Sequence, residues 1–513
     1  MTRIAKYLLL TLFLSGLYSA AARAQTINAA SCSSSDVQTA FNSVTAATTT
    51  VNIPSCPSGT AWTTPVTLNI PAGNTSLTVQ GQTTVAGTCA PGGACTPSDS
   101  TVIVDNVSGT GLTVNTVTGG SFRLTGITFN PSSGTPAYGA IDVSGGSTSV
   151  RFDHNHFNDT VNGDHTIQPD AVNGVFDHNF FDSTNQANLF FIQPTINGPD
   201  GESNATWTVP DNFGTSQFLF VENNFFQNGA FIFDCDFGGR IVFRYNTGGT
   251  NSRIQTHGVG SGAQRRGCRA MEVYQNTFTF SSNPNTNSFA FLVDYESGTA
   301  MWWGNTITGF STFLREDEVR SNTDTYTQTA TPNGWGYCGN GASNWDQNSN
   351  SSGYACLDQI GRGAGNLLTG SFPNLVNQLT GTISWPNQAV VPVYAWDNTL
   401  NTNSYAPNHY WVNYESPATA TENKDYYLQL PNVDENVTFN GTKGVGQGLA
   451  SAKPSTCTPA VGWWGTDTQT LYVCQTTNTW VSYYTPYTYP HPLVSGLNSG
   501  GPAAPTNLAV AVQ

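Results

Sequence analysis

The stretch VRFDHNHFN, Val150–Asn158, returns twenty-four positions later as GVFDHNFFD, Gly174–Asp182. The pattern continues downstream as FLFVENNFFQ (to Gln227), RIVFRYNTGG (to Gly249), MEVYQNTFTF (from Met271), AMWWGNTITGF (from Ala300) and VYAWDNTLNT (from Val393). All copies align on one asparagine: Asn155, Asn179, Asn224, Asn246, Asn276, Asn305 and Asn398. Three residues before it stand Phe152, Phe176, Val221, Phe243, Val273, Trp302 and Ala395. Five before it stand Val150, Gly174, Leu219, Ile241, Met271, Ala300 and Val393. Two after it come Phe157, Phe181, Phe226, Gly248, Phe278, Ile307 and Leu400. This is apolar alternation of period two, a turn at the asparagine, and another inward residue.

The asparagines are spaced 24, 45, 22, 30, 29 and 93 residues apart. The short intervals fit one turn of a β-solenoid, and the long ones fit turns carrying loops or a missed coil. Stacked coils would place equivalent residues about 4.8 Å apart, close enough for the asparagines to form a hydrogen-bonded ladder. Composition agrees. Only 10% of residues are charged and 12% are aromatic, with 52 glycines, a mixture suited to strands and turns. SSSDVQTAFNSV, Ser33–Val44, predicts a short amphipathic helix with a Ser or Asp cap, placed to close the solenoid's open end. The expected fold is all-β: a right-handed parallel β-helix over residues 25–440, with long loops at Ser183–Ser216 and Asn322–Thr369. A small aromatic β-meander follows over 441–496, expected to pack on the helix end, and 497–513 reads as a Gly/Pro linker.

Residues 1–24 read as a secretory signal: Arg3 and Lys6, then an apolar run, then Ala-Arg-Ala before Gln25. Its removal takes away three cations and no acid, moving the net charge from −15 to −18. No later stretch is long and apolar enough to span a bilayer. A secreted location, extracellular or periplasmic, follows. Ten cysteines in an exported chain suggest disulfides. Proximity pairs Cys32–Cys56, Cys89–Cys95, Cys235–Cys268, Cys338–Cys356 and Cys457–Cys474. The acidity argues against a nucleic-acid partner, and the expected state is a monomer.

Several segments carry a resemblance. SDVQTAFNSV, VNIPSC, TPVTLNIP and LTVQG, followed by VRFDHNHF, resemble secreted right-handed parallel β-helix proteins of the pectate lyase-like group. FDHNHF is similar to the WIDH strand of pectate lyases. RGCRAMEVYQNTF, YACLDQIGRGAG and YTPYTYPHPL look like segments of uncharacterised bacterial β-helix proteins. The resemblance runs from Ser31 to Pro492. It implies a polysaccharide partner lying in a groove along one solenoid face.

That face can be read from alternation in four strands beginning at Phe231, Arg253, Phe289 and Phe313. If Phe233, Cys235, Ile254, Thr256, Phe291 and Val293 point inward, then Asp234, Asp236, Gln255, His257, Asp294 and Glu296 point outward, with Arg315 beside them. The chain after residue 24 holds eleven arginines, six of them between Arg240 and Arg269. Such an island suits an acidic sugar, because an Arg fork matches carboxylates. It equally suits neutralisation of Asp234, Asp236 and Glu272. Three lysines (Lys424, Lys443, Lys453) fall in the last quarter, so a lysine base in the central groove is disfavoured.

The first expectation is therefore a lyase cleaving an acidic glycan by β-elimination. His257, Arg266 and Arg269 would be catalytic. Arg244, Arg265, Asp294, Tyr274 and Trp303 would bind substrate, and Asp234, Asp236 and Glu296 would hold Ca²⁺ or position sugar. A glycoside hydrolase using paired carboxylates remains open. Against the polygalacturonase type, NTD (Asn322–Asp324) follows THG (Thr256–Gly258) where that group has the reverse order. A non-catalytic surface or matrix rod remains open as well. The outward column Asp153, Asp177, Glu222, Arg244, Tyr274, Trp303 and Trp396 stacks carboxylates, and Arg151, Arg244 and the histidines His154, His156 and His178 are the expected relief.

Overall fold

The computed structural model describes residues 24–91, 93–131, 139–158, 165–182, 190–195, 204–227, 231–248, 253–257, 267–280, 291–316, 360–364, 389–401, 409–413, 420–430 and 438–496. Its strands form a right-handed parallel β-helix with three long parallel sheets. The first sheet has twelve strands, from Gln25–Asn28 to Tyr426–Leu428, and includes every repeat strand named above. The second and third have ten each.

The apolar columns stack in register. Phe152 pairs with Phe176, then in turn come Val221, Phe243, Val273, Trp302 and Ala395, all fully buried. In the second sheet the rings of Phe129, Phe157, Phe181 and Phe226 lie 5.6, 5.0 and 4.6 Å apart in succession. Gly174 interrupts its column because the backbone there has φ of +144° and a Cβ would sit 1.9 Å from the Val150 carbonyl oxygen.

The asparagine ladder is continuous. Each Nδ2 donates to the Oδ1 of the next coil, at 3.1 Å (Asn155–Asn179), 3.0 (Asn179–Asn224), 3.1 (Asn224–Asn246), 3.2 (Asn246–Asn276), 3.0 (Asn276–Asn305) and 2.8 (Asn305–Asn398). The residue before each asparagine bends the chain through positive φ: His154, His178, Asn223, Tyr245, Gln275, Gly304 and Asp397. The Asn305–Asn398 bond and the pairing of Trp302 with Ala395 show that the 93-residue interval is an insertion within one coil, with no coil missed.

The helix Ser34–Asn42 is capped by Ser33 Oγ, which accepts from Asp36 N, and buries Val37, Ala40 and Phe41. Its Gln38 amide closes the first strand of the third sheet, donating to Thr67 O and accepting from Thr67 N. An edge that would otherwise template aggregation is thereby satisfied. Four of the expected disulfides form: Cys32–Cys56, Cys89–Cys95, Cys235–Cys268 and Cys457–Cys474. These fit an oxidising compartment. Cys338–Cys356, the signal segment, the terminal linker and most of the Asn322–Thr369 loop lie outside the described residues.

Strands Val445–Gly448, Gly462–Gly465, Thr470–Thr476 and Thr479–Tyr484 form a separate four-stranded sheet. It packs along the outer flank of the first sheet as well as near its end. Trp464 meets Trp303 and Trp396 at 5.1 and 5.2 Å, and Tyr484 accepts from Trp303 Nε1. The following segment continues down the flank. Arg244 donates to the carbonyls of Tyr487 and Thr488, His491 N donates to Glu222, and Arg151 donates to the carbonyl of Val494. No helix among the described residues is long and apolar enough to cross a membrane.

Candidate functional site

The outer face of the third sheet carries a polar row, one residue per coil. Asp142 pairs with Gln168, Asp234 with Gln255, Gln255 with Asp294, and Asp294 with Arg315. Gln168 also donates to Gln193, which donates to Asp234. Two residues further along the strands the side chains return to the same face. This second row holds Asp236, His257 and Glu296.

Alternation around Cys235 builds the centre. Cys235 points into the core and bonds Cys268, so Asp234 and Asp236 face outward on either side of it. His257 follows the strand Arg253–Thr256, whose Ile254 is inward. Its backbone is fixed at both ends: N donates to Cys235 O, and O accepts from Cys268 N and Ser297 Oγ. The imidazole Nδ1–H donates to Asp234 Oδ2 at 2.6 Å, and Nε2 lies 3.2 Å from the Gln255 amide nitrogen. Asp234 is fully buried behind the ring, while 24% of the His257 side chain is exposed. Solvent therefore reaches the imidazole, with Asp234 orienting it.

The electrostatics follow from this packing. Burial opposes a charge on His257, but Asp234, Glu296 and Asp236 outweigh it and raise its pKa well above the ordinary value. Burial pushes the Asp236 carboxyl up to about 8, helped by Asp234 and Glu296 and opposed by His257. His257 and Asp236 thus both hold protons near neutral pH.

The sequence-expected residues divide clearly. The fold brings Asp234, Asp236 and His257 together, with Glu296 beside them. Asp294 is on the same face, but its carboxylate is engaged by Arg315 through contacts of 3.0, 2.8 and 2.7 Å. Arg244, Tyr274 and Trp303 need correction as sugar contacts. They lie on the first sheet, 0%, 1% and 4% exposed, beneath the C-terminal segment. Arg269 is likewise fully buried, paired with Asp211 and set over the Trp207 ring, so it does not reach the open face. Arg265 and Arg266 lie outside the described residues. Phe291, expected inward, stays out of the central core, where Leu292 and Val293 both pack, and its ring lies under Arg253 and Arg315.

Asp234, Asp236 and His257 each offer a donor atom within 4.8 Å of the others, and Asp234 Oδ1 is buried with no hydrogen-bond partner. Calcium takes six to eight oxygen ligands. Among the described residues the two carboxylates, bonded to the imidazole and to Phe237 N through one oxygen each, do not by themselves fill that shell, and Glu296 stands outside the trio. The mixed nitrogen and oxygen set is nearer to what a borderline divalent metal takes.

No protein-family model matches the chain, and no curated protein matches it. Among solved structures it is similar to an alginate lyase from Paenibacillus sp. str. FPU-7, with 15% identity, 55% of this chain and 95% of that chain covered, and a TM-score of 0.31. An overlap that loose assigns neither fold nor chemistry, which rest on the strand order and the site.

Proposed function

We propose that the protein is an exported polysaccharide-active enzyme that cleaves an acidic glycan by β-elimination on the outer face of the third sheet. The observation that carries this reading is the His257–Asp234 pair, with the imidazole partly open to solvent and the carboxylate buried behind it. In this mechanism His257 Nε2 takes the proton from the sugar carbon beside the uronate carboxyl. The carbon–carbon double bond forms, the glycosidic carbon–oxygen bond breaks, and the leaving oxygen takes up a proton. Asp236, protonated below about pH 8, donates a hydrogen bond to the uronate carboxylate and stabilises the charge that develops there.

A second reading, hydrolysis, is favoured by the same protonated Asp236, which can act as a general acid on the glycosidic oxygen. The two readings part in their pH dependence. Elimination needs His257 neutral, and its pKa is raised well above the ordinary value, so the rate rises on the alkaline side of an ordinary histidine's range and falls as Asp236 loses its proton. Hydrolysis by Asp236 has no ascending limb at neutral pH and only falls on the alkaline side. The test is a panel of acidic and neutral polysaccharides, followed by the ultraviolet absorbance of unsaturated uronates and by new reducing ends. Both signals together support elimination. Reducing ends alone support hydrolysis. Neither signal, from folded protein, leaves the non-catalytic rod.

A further inference from the structure

Of the cations on the third sheet, Arg315 is committed to Asp294 and His257 to Asp234. Arg253 differs. It makes no hydrogen bond and no ion pair among the described residues, and its guanidinium is held between two phenyl rings, 5.4 Å from the centroid of Phe231 and 5.4 Å from that of Phe291. Cation–π contact fixes a guanidinium without using its N–H donors. Burial lowers the Arg253 pKa, Asp294 works against that, and Arg315 adds to the fall; the Asp294 carboxylate is itself bonded to Arg315. Phe231, Arg253 and Phe291 form the row on the far side of the polar floor from His257. Arg253 and His257 are four residues apart on one strand face, roughly 13 Å, with Gln255 between them.

We infer that Arg253 is a preorganised anion subsite, which reads a carboxylate or sulfate ester on a sugar lying across Gln255, on the side opposite the proton-transfer pair. This rests on the polysaccharide reading above and adds a selection rule to it. A chain lying along the floor meets His257 on one side and Arg253 on the other, so a substituent directed at Arg253 decides affinity while one directed at His257 decides reaction. A planar guanidinium with free donors favours an oxyanion over a neutral hydroxyl.

The test is binding of the full chain to two matched pairs at low salt: polygalacturonate with its carboxyl-reduced form, and dextran sulfate with dextran. Arg253→Gln should bind the anionic member of the recognised pair roughly ten- to a hundredfold more weakly, with the neutral member unchanged. Loss on polygalacturonate identifies a carboxylate, and loss on dextran sulfate identifies a sulfate ester. Arg253→Lys keeps the cation and much of the stem, serves as the folding control, and should show a smaller loss confined to the same member. Equal loss on both members of a pair, or none on any, overturns the subsite. A wild-type chain that binds neutral members as tightly as anionic ones removes the anion subsite alone. One that binds none of the four removes the polysaccharide reading as well.

Discussion

The outer faces of the first and third sheets are both lined with charge, yet they do opposite things. On the first sheet Arg123 pairs with Asp153, Arg151 with Asp177, and Arg244 with Glu222, relieving the stacked carboxylates as their column requires. That ladder is then sealed by residues 484–494, whose backbone accepts from the arginines and donates to Glu222. On the third sheet the His257 ring stays partly open above the buried Asp234 and Asp236, and Arg253 makes no hydrogen bond or ion pair among the described residues. Charge on a solenoid face thus builds a seal when every group is paired and covered, and a site when some are left facing solvent.

The largest expected effects separate the two faces. His257→Gln, which can still donate to the buried Asp234 carboxylate, should lower cleavage about 10²–10⁴-fold with little change in melting temperature. Arg244→Met should do the reverse. It strands Glu222, which is 0% exposed, and should cost about 3–5 kcal/mol of stability by denaturant titration, with catalysis at the folded site kept. A catalytic collapse in Arg244→Met under conditions where it is folded would break the division between seal and site.

A smaller effect sharpens the first face. Glu272 is buried beneath Tyr484 and accepts from its hydroxyl and from Gly214 N. Burial raises its pKa from 4.5 to about 7. A carboxyl whose folded pKa is raised loses stabilising effect as pH rises from its unfolded value through its folded one. The wild type should therefore weaken relative to Glu272→Gln between about pH 4.5 and 7, by up to about 3 kcal/mol, and no further above. Melting temperatures of the two proteins at pH 4 and pH 8 check this. A difference that does not grow with pH would contradict a buried, protonated Glu272 at the seal.

Much of this was legible in the sequence, for a physical reason. A solenoid repeats one local problem, so Asn155 and its equivalents display the ladder, and Phe152 and its equivalents display the core, without any knowledge of distant contacts. The parity of Asp234, Asp236 and His257 followed from Phe233, Cys235 and Ile254. Parity failed at Phe291, because the adjacent Leu292 and Val293 both pack into the core and strict alternation is lost there, and with it went the setting of Arg253. The fate of Arg244, Tyr274 and Trp303 was illegible for a different reason. Alternation says that a side chain leaves the sheet, but not that Trp464 and Tyr484, far along the chain, will cover it. A run of outward aromatics above a C-terminal aromatic meander was the available signal.

The central claim is that the third sheet is the working face and the first is sealed. Hydroxyl-radical footprinting of the full chain, with and without a polysaccharide that it binds, tests this most directly, because it reads side-chain access on both faces at once. His257 and Phe231 should lose reactivity when the polysaccharide is added, while Tyr483 and Tyr489, 37% and 41% exposed on the covering segment, should keep theirs. Protection of Tyr483 and Tyr489 with His257 unchanged would place the glycan on the other face and contradict the account.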